Sequence, residues 1–443
     1  MKKFLALLLA LTLTLSLFTG CAEPAAPAVP ETPDIVQPSE TPTEPEVPAV
    51  LEVPAEPQVP VAPEVQMTEE EKAQIIQARR DAALAYARKM ASILWRSDTS
   101  ITYKHVETSA AEFEIVAGRL YEGLPYSYSG STVEAFLDQP GTVDEKGIFN
   151  ITGLNVALLG GTSDTSRIGT DCSGLVNRSW QSFGSSVVPE SSSAMTVGRG
   201  YLKVGDYTAP EMGYSDTKAD CETNGPAKMF EAYALLQQSD AVVKYKKGSG
   251  GHAMLVISVD VKFNEKGAID GAKSVCTIID QEGLQRAGKT YYNGYLGEEV
   301  HVCIRSDTKY TFNQLFNQGY LPITCKELVD PSPIGDTYIS DTLTVQPTKD
   351  NLLTGVIGCS HAMDMARIVI TDAAGQVVQT SICHPVRRSC YAFDMSQFVT
   401  DSEEQLVGKI DVNALPAGAY HCLVTIRTVK DGEFIAREFD FTV

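Results

Sequence analysis

Apolar and polar positions fall into four textures along the chain. Residues Phe4 to Phe18 form one apolar run, and residues 22–66 show no apolar period at all. From Thr68 onward, helical and strand periods alternate. Thr68 with Glu71 makes a capping box, predicting a long helix to about Trp95 whose apolar face is Ile76, Ala83, Tyr86, Met90 and Ile93. Ala110 to Tyr121 repeats a helical pattern. Leu175, Val176, Ser179, Trp180 and Phe183 fall at helical spacing before Gly184, so a helix is expected to start near Asp171. Lys228 to Leu236 reads as helix, running into a strand that ends at Val243. A strand over 252–261 and another over Val275 to Ile279 are joined through Asn264-Glu265-Lys266-Gly267, which predicts an antiparallel pair. After Pro331 only short β-rich runs remain (Leu343–Val345, Arg367–Ile370, Val377–Gln379, Cys422–Thr428, Phe434–Val443), the texture of a small all-β sandwich. The expected architecture is α+β: an N-terminal helical segment and a mixed domain over 67–330, then a β-sandwich domain over 331–443.

Charge and proline content change the picture at the N-terminal end. The net charge of −20 argues against a nucleic-acid partner, which needs clustered Lys and Arg. Residues 22–66 hold nine acidic residues and no Lys or Arg, with proline every three to six positions from Pro24 to Pro63. Such a segment favours extended polyproline II and could reach on the order of 100 Å. Lys2 and Lys3 before the apolar run make residues 1–20 an export signal, too short to span a bilayer. It ends in Leu17-Phe18-Thr19-Gly20-Cys21, which resembles the lipobox of bacterial lipoproteins, with Phe18 where Leu is commoner. The resemblance implies acylation of Cys21, anchoring the protein to the outer face of the cytoplasmic membrane. Residues 21–66 would then carry the rest outward toward the cell wall.

Ten cysteines are present, and no pair shows the C-x-x-C spacing of zinc or redox sites. No metal or cofactor is expected. In an exported chain disulfides are allowed, and Cys383 with Cys390 is the one pairing favoured.

One cysteine stands in a reactive context. Gly169-Thr170-Asp171-Cys172-Ser173-Gly174 puts Cys172 at the mouth of the predicted helix, where orphan N–H groups and the positive dipole end favour a thiolate. Ser173 and Gly174 are small and leave room for a substrate. An inert buried cysteine is the commoner fate of a lone Cys, but Gly250-Gly251-His252 supplies a base at the start of a strand. Hairpin geometry brings the end of the second strand, Asp280-Gln281-Glu282, beside His252. If His252 and Glu282 lie opposite, Asp280 shares their face and Gln281 points away; a one-residue slip reverses this.

These residues resemble an NlpC-type cell-wall cysteine peptidase, a papain-like α+β fold. The family's Asp-Cys-Ser-Gly motif is matched in full at Asp171 to Gly174. Pro125-Tyr126-Ser127-Tyr128-Ser129-Gly130 is similar to its upstream Pro-Tyr-x-x-Gly-Gly, and Leu236 to Asp240 to its Leu-x-x-Gly-Asp, with Ser239 in place of Gly. The resemblance implies Cys172 as nucleophile, His252 as base, Asp280 as third member, and Tyr126, Asp171 and Ser173 as substrate-binding residues. It implies a surface-anchored hydrolase acting on peptidoglycan stem peptides, with an N-acetylmuramoyl amidase or acyltransferase as the close alternative. A non-catalytic wall-binding lipoprotein with a degenerate fold of this type is the reading from another class.

Overall fold

A computed structural model describes residues 67–104, 113–154, 168–282, 289–346, 352–385, 387, 390–395 and 412–443. The expectations for the export signal, Cys21 and the linker lie outside the described residues. Within Gln66–Val443, one compact unit, the chain is mixed, with many strands and few helices.

Helix α1 (Glu69–Ser92) opens on the expected capping box: Thr68 Oγ1 accepts from the Glu71 N–H at 3.2 Å, and the Glu71 carboxylate accepts from the Thr68 N–H at 2.7 Å. It ends before Trp95, because Ile93 turns extended and Leu94–Ser97 becomes a strand. There Trp95 is fully buried, stacks on Tyr121 with centroids 4.6 Å apart, and donates its indole N–H to the Gly123 carbonyl. The helix expected from Ala110 to Tyr121 is not formed over its described part. Phe113–Ile115 and Leu120–Glu122 are strands, pairing with Ile101–Tyr103 and with Leu94–Ser97 and Glu298–Val302. Phe113 and Ile115 alternate inward around exposed Glu114, and Gly118 at φ +75° breaks the run, so sheet pairing overrides the apparent helical spacing.

The site is carried by a six-stranded antiparallel sheet. Its strands are β1 (Tyr201–Lys203), β2 (Ala241–Lys246), β3 (Gly250–Asp260), β4 (Val275–Gln281), β5 (Ile304–Thr311) and β6 (Leu321–Cys325), in the order β5-β4-β3-β2-β6-β1. Strand β2 begins at Ala241, after the Leu236–Asp240 turn. Ser239, where the family pattern has glycine, adopts φ +68°, the left-handed conformation that glycine enters freely.

A short helix α2 (Val133–Leu137) precedes the helix that carries Cys172, α3 (Cys172–Gln181). All ten residues of α3 are buried, between α1 and strand β3. Trp180 anchors it by donating to the Ser239 carbonyl at 2.7 Å. At its start, a Cβ on Gly174 would lie 2.6 Å from the Cα of Gly130 and 2.6 Å from Thr170 Oγ1. Backbone meets backbone here, which explains why the position is glycine.

The C-terminal part has its own apolar core between two sheets. One is β7 (Met363–Asp372), β8 (Val377–Cys383), β9 (Ala419–Thr428) and β10 (Gly432–Thr442), in the order β8-β7-β9-β10. The other joins Ile339–Asp341, Val356–Cys359 and Ala392–Asp394. Ile357 and Phe393 from the small sheet pack with Ile368, Val424 and Ile426 from the large one. No disulfide joins the buried Cys383 and Cys390, so the favoured pairing is not formed; Cys390 instead accepts from the Gln181 amide at 3.9 Å. Arg427 clamps this module to the part that carries Cys172, donating to Asp138 at 2.7 Å and to Asp364 at 2.8 Å. Arg79 of α1 holds the connecting segment through the carbonyls of Glu327, Asp330 and Ser332.

Gly174→Ala should destabilise the protein by about 1–3 kcal/mol, the usual cost of overpacking. Gly294→Ala, with open space around its Cα and no left-handed φ, should leave the thermal midpoint unchanged. Thermal denaturation of the two variants side by side checks this, and equal midpoints would contradict the packing account.

Candidate active site

Asp171 is the N-cap of α3. Its backbone is extended at φ −101° and its side chain accepts from the Gly174 N–H, which makes Cys172 the first helical residue. The sulfur therefore lies at the positive end of a ten-residue helix, among N–H groups the helix cannot pair internally.

His252 enters from β3. Gly251 before it lets Ser192 and the Lys244 carbonyl come close; a Cβ there would sit 2.2 Å from Ser192 Oγ and 2.6 Å from Lys244 O. The imidazole Nε2 is 2.6 Å from Asp280 Oδ2, which leaves Nδ1 as the nitrogen facing Cys172, with which the ring hydrogen-bonds. Burial pulls the imidazolium down, but the charge of Cys172 and the hydrogen bond from Asp280 outweigh it and raise the His252 pKa from 6.5 to about 10.

Register decides which acid reaches the ring. Strand β4 pairs Ile279 with Leu255; continuing that register sets Glu282 opposite His252 and places Asp280 on the same face. Gln281 faces the other way, fully buried, and donates to the Leu124 carbonyl at 2.7 Å. Its loss should therefore cost stability rather than turnover. Across the sheet Asp280 pairs with Arg305, whose Nε and Nη2 donate to the carboxylate at 3.1 and 2.6 Å. Burial pushes the Asp280 carboxyl up, yet the bonds from His252 and Arg305 hold it below the ordinary range. Arg305 also pairs with Glu282 at 2.9 Å and donates to Tyr310. His252, Asp280 and Glu282 could together offer donor atoms to a metal, their ligand atoms lying within 4.8 Å of one another. The guanidinium already supplies the positive charge between those carboxylates, so the set fits a network that orients an imidazole better than it fits a cation site.

In front of Cys172 lies a cleft of about 270 Å³ lined by Tyr126, Tyr128, Ser192, Tyr245, Gly251 and Arg387, among others. It shares Tyr245, Gly250 and Gly251 with a second hollow beside His252 that holds Lys218, Lys244 and Lys246. Tyr126 stacks on Phe113 at 5.0 Å and bridges to Thr170. The three residues expected to bind substrate thus surround the sulfur, but Asp171 and Ser173 are engaged within the protein. Ser173 Oγ donates to Asp171 and accepts from Arg387 at 3.1 Å, and Arg387 also pairs with the Asp171 carboxylate. Sequence reasoning missed Arg305 and Arg387. The first was signalled only by an arginine opening the strand Ile304 to Thr311; the second had no local signal.

The raised pKa of His252 has a sign in stability. An imidazolium favoured in the folded state contributes fully below pH 6.5, and that contribution is lost as pH rises through about 10. The thermal midpoint should fall across this window in the wild type. In Asp280→Asn the folded value drops, so the fall should begin at lower pH and be smaller. Melting curves across the window check it, and superimposable profiles for the two proteins would contradict it.

Comparison of the chain with protein-family models, with curated proteins and with solved structures finds no match.

Proposed function

We propose that the protein is a cysteine peptidase of the NlpC type, with a papain-like arrangement, that hydrolyses an amide bond of peptidoglycan stem peptides. The observation that carries this reading is the line Cys172–His252–Asp280, with the sulfur at a helix N-terminus and the imidazole held charged between two anions.

In this reading the Cys172 thiolate attacks the amide carbonyl carbon, and the developing oxyanion faces first-turn N–H groups of α3. The His252 imidazolium gives its Nδ1 proton to the leaving nitrogen as the C–N bond breaks, leaving a thioester on Cys172. His252, now neutral, takes a proton from water; the resulting hydroxide adds to the thioester, the C–S bond breaks, and the acid leaves with the thiolate restored. Asp280 keeps Nε2–H bound throughout, fixing the tautomer, while Arg305 keeps Asp280 in place. The resemblance favours the bond between γ-linked D-Glu and the diamino acid. Acylated Cys21 and the proline-rich segment would place the site within reach of the wall.

Purified peptidoglycan incubated with the full-length protein should release stem-peptide fragments whose masses, read by mass spectrometry, identify the bond cut. Cys172→Ala should release none while keeping the wild-type thermal midpoint. Fragment release by Cys172→Ala would remove the mechanism, and no release by the wild type would favour the non-catalytic wall-binding reading.

A further inference from the structure

Asp171 poses an electrostatic problem that its role as a helix cap does not solve. It is 4% exposed and immediately precedes the nucleophile. A carboxylate in that place opposes ionisation of the neighbouring sulfur, since like charges at low dielectric disfavour one another. Among the described residues, the titratable and charged groups around Cys172 include His252 and Asp280 from the sheet, Tyr320 just before β6, Asp171 from its own helix cap, Arg178 nearly two turns further along α3, and Arg387. Arg178 faces away from the sulfur, donating to the Gly130 carbonyl and to Gln181. Arg387, also 4% exposed, reaches in from the C-terminal module. Its Nη2 meets Asp171 Oδ1, its Nη1 donates to Ser173 Oγ at 3.1 Å, and its side chain crosses so close to Gly130 that a Cβ there would lie 3.0 Å from Nε. Burial works against its charge, but Asp171 and Cys172 together hold the guanidinium above its ordinary range.

Resting on the peptidase reading above, we propose that Arg387 is a positioning residue for the nucleophile: it neutralises the Asp171 carboxylate and fixes Ser173, so that Cys172 can ionise. The C-terminal module is then part of the active site. It supplies a counter-charge at this cap, 214 and 216 residues away along the chain from the two groups it contacts. Undocking the module would silence the sulfur without disturbing the triad.

The test uses two readouts on the full-length protein. One is the rate of iodoacetamide alkylation of Cys172 at pH 6, followed by mass spectrometry of its peptide, which needs no substrate. The other is kcat and KM on purified wall. Arg387→Gln should slow alkylation by roughly tenfold, the scale of one uncompensated neighbouring charge. It should lower kcat in parallel with KM little changed. Asp171→Asn/Arg387→Gln removes both charges and keeps a capping side chain, so alkylation should return to within about threefold of wild type. If Arg387→Gln is too unstable to purify, Asp171→Asn asks the question from the other side: an unopposed guanidinium should speed alkylation.

Wild-type alkylation in Arg387→Gln would overturn the proposal, as would a double variant as slow as the single one. So would an Asp171→Asn variant no faster than wild type. Arg387-dependent alkylation in a protein that cuts no wall would instead sink the peptidase reading and leave this one standing.

Discussion

A charged imidazole is costly to bury, and His252 is buried between the two groups that keep it charged. The sulfur of Cys172 lies on one side and the carboxylate of Asp280, 2.6 Å away, on the other. Remove either anion and desolvation drives the proton off the ring. Much of the surrounding structure serves this contact. Gly174 and Gly130 let the α3 helix approach the Tyr126–Gly130 loop backbone to backbone, which fixes the sulfur. Gly251 lets β3 press against Ser192, which fixes the ring. Arg305 keeps the buried Asp280 charged by pairing across the sheet, and Trp180 pins the far end of α3 to the turn before β2.

The same rule of compensation recurs wherever the chain buries charge. Arg80 meets Asp240 at 2.9 Å with both side chains almost sealed from solvent, and Arg427 joins Asp364 and Asp138 at the seam between the part that carries Cys172 and the C-terminal module. Such pairs add little net stability over apolar packing, yet breaking one side is costly, so they specify how parts dock. Arg387 with Asp171 belongs to this set by geometry and differs in its neighbour, Cys172.

Local pattern made the centre of this site legible. The spacing from Leu175 to Phe183 and the capping Asp171 located α3 and put Cys172 at its start. The hairpin brought the Asp280-Gln281-Glu282 group beside His252, but the two-residue period leaves the choice of Asp280 or Gln281 to the register, which local pattern did not fix; the family resemblance favoured Asp280. Two segments misled. Trp95 and the Phe113–Tyr121 run carry apolar residues at spacings a helix also satisfies, and their fate was set by sheet partners elsewhere in the chain. Arg305 sits on a strand of polar, alternating residues that offers little periodic signal. Arg387 acts across more than two hundred residues, and no local feature marks a side chain whose role is defined only by docking.

The central claim is that His252 is an imidazolium paired with the Cys172 sulfur. Nitrogen-15 NMR of the histidine ring reads this directly. In the wild-type protein both ring nitrogens of His252 should carry protons at pH 8, with deprotonation near pH 10. After alkylation of Cys172 the ring should lose its charge at distinctly lower pH. A His252 that is neutral at pH 8 in the unmodified protein, or whose titration does not respond to alkylation, would contradict the account.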